Sequence, residues 1–272
     1  MTDARRRVRL LLVLALVASG CGSSPTPAAP APSPTPPTTA SASPSTAQPV
    51  LATPSAAPCS LPATPAAKDW NGRVWYEAFV RSFADSSGDG IGDLRGLTAR
   101  LDYLNDGNPA TTTDLGITGI WLMPIMEAAS YHGYDVIDYR RVEQDYGTSA
   151  DFAAFLAAAH RRGIAVILDL VMNHTSDQNP WFLASRQASS PKAGWYVWSA
   201  ADPGVPGPNG QVVWHPLDGR FYYGVFGASM PDLNLRSAAV TAELEDIARH
   251  WLGLGVDGFR LDAIPYLVEE GR

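Results

Sequence analysis

From Arg73 onward, short apolar runs alternate with amphipathic stretches, and that rhythm leaves few folds open. "RVWYEAFVRSF" (73–83), "GITGIWLMPI" (116–125), "IAVILDLVMN" (164–173) and "VDGFRLDAI" (256–264) read as strands. Between them, "LRGLTARLDYL" (94–104) sets Leu94, Leu97, Leu101 and Leu104 along one helical stripe. "TSADFAAFLAAAHRRG" enters a helix on Thr148, with Asp151 three residues later as in a capping box, and stops at Gly163. "AAVTAELEDIARHWLGLG" (238–255) puts Val240, Leu244, Ile247 and Trp251 on one face. Strand and helix in turn predict an α/β fold of βα units around a parallel sheet. Only the interval His174 to Arg236, rich in Trp, Tyr, Gly and Pro, breaks the rhythm. A structureless loop of that length is improbable inside a compact domain, so 174–236 reads as a subdomain inserted after the third strand.

Upstream the composition changes. "MTDARRRVRLLLVLALVASGC" has a basic start (Arg5, Arg6, Arg7, Arg9) and an apolar run, Leu10 to Ala18, too short for a comfortable membrane span. This is the pattern of a secretory signal over 1–21, and Ala18-Ser19-Gly20-Cys21 resembles a bacterial lipobox, in which the cysteine becomes the lipidated N-terminus. Ala18 stands where leucine is usual, so cleavage by ordinary signal peptidase stays open. Residues 22–67 are Pro, Ala, Ser and Thr, a semi-extended tether that cannot bury a core. The expectation is an exported lipoprotein, cell-surface or periplasmic, touching the membrane only through Cys21. The second of the two cysteines, Cys59, lies in the tether, so no disulfide framework is expected. A net charge of −7 gives no footprint for nucleic acid.

Polar residues gather at the carboxyl ends of the predicted strands: His132, Tyr134 and Asp135 after the second, Asp169, Asn173 and His174 on the third, Arg260 and Asp262 on the fourth. In parallel α/β folds that rim is where ligands bind. Arg260 and Asp262, two apart in a strand, share one face, and burying an ion pair costs several kcal/mol per ion.

"GITGIWLMP" (116–124), "SYHGYDV" (130–136), "DLVMNH" (169–174), "MPDLN" (230–234) and "GFRLDAIPY" (258–266), in this order, resemble the short motifs of the α-amylase family of glycoside hydrolases. The resemblance runs from about residue 73 to the end. It implies a (β/α)8 TIM barrel with a subdomain on its third loop, of which 68–272 would hold only the first four βα units. It makes Asp262 the nucleophile of a retaining mechanism and Arg260 the group that keeps that carboxylate ionised and aimed, since a nearby opposite charge favours the anion. Tyr134 and His174 would contact the sugar before the scissile bond, the tyrosine by stacking, with His132 in the same pocket. Asp169 would organise the site's hydrogen bonds, and Asp135 resembles the residue with which α-glucosidases grip a terminal sugar.

"DSSGDGIGD" (85–93) resembles a calcium loop, with Asp85, Ser87, Asp89, Ile91 and Asp93 as ligands around a cation that takes six to eight oxygens. No glutamate closes a twelfth position, so it is not an EF-hand. Asn173 and Asp232 match the ligands of a second calcium in the family.

Ala263 after the nucleophile favours α-1,4 over α-1,6 bonds, and "MPDLN" is similar to the pattern of α-amylases acting on starch or malto-oligosaccharides. "GFRLDAIPYL" is also similar to trehalose synthases, and a tethered lipoprotein could be a non-catalytic sugar-binding protein. Retaining hydrolysis needs a second carboxyl about 5–5.5 Å from the nucleophile. In the family this acid is a glutamate on the fifth strand, a position that neither Glu269 nor Glu270 matches. The expectation is an inactive piece of a longer parent enzyme.

Overall fold

The computed structural model describes residues 70–268; the leader, Cys21, the Pro-rich stretch through residue 67, Cys59, Glu269 and Glu270 lie outside the described residues. Strand β1 (Trp75–Ala78) runs into one helical turn, α1 (Val80–Phe83), and then α2 (Leu94–Ala99) and α3 (Leu101–Leu104) lead to β2 (Gly119–Leu122). A hairpin of β3 (Met126–Ala128) and β4 (Val136–Val142) precedes α4 (Ser149–Arg161) and β5 (Ala165–Leu170). Next come α5 (Pro180–Ser185), β6 (Trp198–Ser199), β7 (Trp214–Leu217) and β8 (Arg220–Tyr223), followed by α6 (Ala238–Gly253) and β9 (Gly258–Leu261). β1, β2, β5 and β9 pair side by side in that order, every pair parallel. β6, β8 and β7 form a separate antiparallel sheet between β5 and α6.

Alternation sorts the parallel strands into two faces. Ile120, Leu122, Val166 and Leu168 turn one way and are at most 1% exposed. They join a core with Phe152, Phe155 and Leu156 from α4 and Val240, Leu244, Ile247 and Trp251 from α6. Full burial of each such side chain contributes about 1.5–3 kcal/mol. Trp121, Ile167, Asp169 and Arg260 turn the other way, which places charge opposite the helix-packed core.

Two expected elements differ. The first strand ends at Ala78, not Phe83, because the chain folds back: Gly92 and Asp93 N–H groups donate to Arg81 and Ala84 carbonyls at 2.7 and 3.0 Å. The helix over 94–104 breaks at Arg100 (ψ 5°), whose N–H reaches back only three residues to Leu97 O. Its four leucines are nonetheless all fully buried. The α4 entry carries the capping box, Thr148 and Asp151 each accepting from the other's backbone N–H.

The segment between β5 and α6 is tied down where it matters for the rim. Leu233 N–H donates to Asn173 O at 2.8 Å and Thr175 N–H to Pro231 O at 3.2 Å. Its interior is aromatic: the Phe182 ring meets Tyr196, Tyr222 and Trp198 at 5.1, 5.0 and 5.7 Å.

Candidate active site

Asp169 and Arg260 are register partners on the adjacent strands β5 and β9, so their side chains leave the sheet together. Arg260 Nη1 donates to Asp169 Oδ1 and Oδ2 at 3.0 and 3.1 Å and to Asp262 Oδ1 at 2.5 Å. One nitrogen thus stands between two carboxylates, which accounts for a charge pair in an otherwise apolar run. The Asp169 side chain is fully buried, that of Asp262 is 15% exposed and that of Arg260 37%. Asp262 is seated by its own N–H on Leu170 O at 3.1 Å. The chain then turns sharply through Ala263, whose left-handed φ of 54° costs about 1 kcal/mol for a non-glycine residue.

Asp169 collects donors from three segments. Besides Arg260, its Oδ2 accepts from Trp121 Nε1 at 3.2 Å and from Tyr134 Oη at 3.1 Å. The Arg260 guanidinium also lies 5.0 Å from the Trp121 ring centroid. Burial pushes the Asp169 carboxyl up to about 6, against the pull of Arg260's hydrogen bonds and charge. Burial likewise raises the Tyr134 phenol, helped by the Asp169 charge. Arg260 is held above its ordinary value because its bonds to Asp169 and Asp262 outweigh its own partial burial.

His132, Tyr134 and Asp135 sit in the loop joining β3 to β4. Gly133 lets that loop pass close to Pro124: its φ is +81°, and a Cβ there would lie 2.8 Å from Pro124 O. His132 Nδ1 accepts the Tyr134 N–H at 3.1 Å, with the two rings 5.9 Å apart. Asp135 is 5% exposed and turns into its own loop, accepting from Ser130 N–H and Oγ at 3.2 and 2.7 Å.

His174 is 2% exposed, and its Nε2 has no hydrogen-bond partner among the described residues. Burial pulls the imidazole down to about 4, with the Asp262 and Asp135 charges leaning the other way, so the ring is neutral at pH 7. Three residues not singled out from the sequence complete the rim. The Tyr139 hydroxyl lies 2.8 and 3.0 Å from the carbonyls of Val171 and His174 and fixes the backbone after β5. Phe226, 42% exposed, lies tilted against His174 with ring centroids 5.0 Å apart, and Trp121 holds Asp169. Trp121 alone had a signal, as a large aromatic inside a quoted motif; Tyr139 and Phe226 had none.

Asp85, Ser87, Asp89, Ile91 and Asp93 share one loop, but its carboxylates serve the loop itself. Asp85 accepts from the N–H groups of Ser87, Gly88 and Gly90 at 2.9, 2.7 and 2.7 Å, which hold its carboxyl below the usual range. Asp89 accepts from Ile91 N–H, and Asp93 caps α2 through Gly96 N–H, at 2.8 and 2.7 Å. Asn173 and Asp232 lie buried on the two bridged segments, Asp232 Oδ1 accepting from Val225 N–H at 3.1 Å. Among the described residues, no three His, Cys, Asp or Glu side chains converge to hold a metal ion.

The family model for the alpha-amylase catalytic domain matches residues 77–272. The chain belongs to that family. Its members are built on a (β/α)8 barrel, and the four-stranded parallel sheet is in keeping with part of one. The chain is 44% identical over 198 residues to alpha-amylase 3 of Dictyoglomus thermophilum, covering 72% of this chain and 37% of that protein. It is 44% identical over 208 residues to the trehalose synthase/amylase TreS of Mycolicibacterium smegmatis, covering 72% of this chain and 33% of that one. The crystal structure of the alpha-amylase from H. orenii superposes with a TM-score of 0.69 at 51% identity, over 74% of this chain and 42% of that chain. The chain therefore spans about a third of the length of these curated relatives.

Proposed function

We propose that this chain carries the nucleophile of a retaining glycosidase that cleaves α-1,4-glucosidic bonds of starch or malto-oligosaccharides, as part of a longer parent protein. The observation that carries the reading is Arg260 Nη1 shared between Asp169 and Asp262. It fixes the Asp262 carboxylate on the open side of the sheet, beside a buried partner that cannot itself reach solvent. Asp262 attacks the anomeric carbon; a bond forms from its oxygen to that carbon as the bond to the leaving oxygen breaks, the electron pair departing with that oxygen. The proton for the leaving oxygen comes from a second carboxylic acid, which we place on a fifth strand of the complete barrel. Water then releases the sugar from Asp262.

Tyr134, its hydroxyl tied to Asp169, offers its ring face to the sugar, and His174 offers a neutral imidazole to a sugar hydroxyl. In this reading 68–272 supplies the first four βα units with the 174–236 insertion, and the leader supports export with lipid attachment at Cys21.

The 44% identity to a trehalose synthase/amylase favours one second reading, isomerisation of maltose through the same covalent intermediate. In the parent protein the products separate the two: a ladder of oligosaccharides or trehalose. The nucleophile can be tested on the chain alone with a ring-fluorinated α-glucosyl fluoride, whose leaving group needs no proton donor. The expected result is one glucosyl adduct on Asp262, absent from Asp262→Asn. A label on another carboxylate, or none on folded chain, refutes the assignment and leaves a non-catalytic sugar-binding role.

A further inference from the structure

We infer that Trp121 is a positioning residue: its indole fixes both Asp169 and Arg260, and through them the direction in which Asp262 is presented. The catalytic meaning of this rests on the glycosidase reading; the geometry does not. Trp121 is not part of the helix-packed core. Its strand neighbours Ile120 and Leu122 are fully buried on one face, whereas Trp121 is only half-buried on the other. It pairs with Ile167, two residues before Asp169, and that offset lets an indole reach along the strand direction to the carboxylate.

Two contacts made by one side chain distinguish positioning from filling. The indole N–H donates to Asp169 Oδ2 at 3.2 Å, the oxygen that also receives Tyr134 Oη at 3.1 Å and Arg260 Nη1 at 3.1 Å. Three donors on one oxygen restrain the carboxylate in rotation, so Oδ1 is left to Arg260. The ring meanwhile lies 5.0 Å from the guanidinium carbon, a cation–π distance that sets where Arg260 rests. Arg260 has one nitrogen for two carboxylates, so any drift toward Asp169 withdraws it from Asp262.

The test needs no turnover. Indole 1H–15N signals of the eight tryptophans are followed from pH 4.5 to 8. Trp121→Phe should remove one signal and leave the others in place, which checks the fold. In the wild type that signal should move upfield as pH falls through about 6, the Asp169 midpoint, and stay fixed in Asp169→Asn. Should Trp121→Phe not fold, Tyr134→Phe identifies the signal instead, because losing the competing donor shifts one indole proton downfield. A signal that does not titrate, that still titrates in Asp169→Asn, or that ignores Tyr134→Phe overturns the inference. Adduct formation at Asp262 supplies the functional arm: Trp121→Phe should slow it about tenfold at saturation with half-saturation within about twofold. An unchanged maximal rate overturns the positioning role. Failure of the indole titration removes Trp121's role and leaves Asp262 standing. Failure of wild-type labelling removes the glycosidase reading and leaves the titration.

Discussion

Replacing Asp169 by Asn should change how stability depends on pH, by an amount the burial of that carboxylate sets. Its side chain is fully buried and its pKa rises from 3.8 to about 6. A carboxyl whose folded pKa lies above its unfolded value holds its proton more tightly when folded. The charged form is therefore penalised: the penalty is absent below pH 4 and complete above pH 6. Two units at 1.36 kcal/mol each come to about 3 kcal/mol. Wild type should thus lose about 3 kcal/mol relative to Asp169→Asn as pH rises through that window. The amide keeps the shape and an acceptor for Trp121 and Tyr134, and any pH-independent offset drops out of the difference.

His174 makes the variant necessary. Its folded pKa of about 4 lies below the ordinary 6.5, so the stability it contributes is full above 6.5 and drains away as pH falls toward 4. That slope is opposite in sign to the Asp169 slope and of similar size, about 3 kcal/mol. In the wild type the two nearly cancel, and in Asp169→Asn the histidine slope stands alone. Urea unfolding followed by circular dichroism at half-unit steps from pH 4 to 8 reads both. A difference between wild type and Asp169→Asn that grows in the wild type's favour with rising pH would refute the reasoning. It would mean that Arg260 outweighs burial and that the folded carboxyl titrates below its unfolded value.

His174→Gln should do the reverse: it removes the acid-side loss, so the variant is more stable at pH 4.5 than at pH 7, and an unaltered wild-type profile in urea titrations would contradict the buried neutral imidazole. At the 85–93 loop, calcium added after EDTA should raise the melting temperature by scanning calorimetry, and an unchanged value would show that its carboxylates serve only its own N–H groups. A calcium ion held at a hundred times its dissociation constant would add about 2.7 kcal/mol, several degrees, and such a rise would show that those carboxylates turn to a cation.

Apolar runs with flanking stripes and caps made β5, β9, α4 and α6 readable, because period and capping are local. The hairpin of β3 and β4 was not. Its buried residues Val136, Tyr139 and Val142 fall at spacing three, and bulges pair Met126 with Val142 but Glu127 with Asp138. A strand whose register slips twice shows no period of two. In the same way, two charges inside an apolar strand are anomalous wherever the strand lies, so Arg260 and Asp262 announce themselves. A tryptophan in a strand is ordinary, and what separates Trp121 from a core residue is its offset of two from Asp169 across the β2–β5 register. Register is decided by pairing between segments over forty residues apart, here Trp121 and Asp169, and no window along the chain contains it. The parts of a site legible in a sequence are therefore those that violate local expectation. The residues that hold such a site in place satisfy it, and they emerge only when the strands are set side by side.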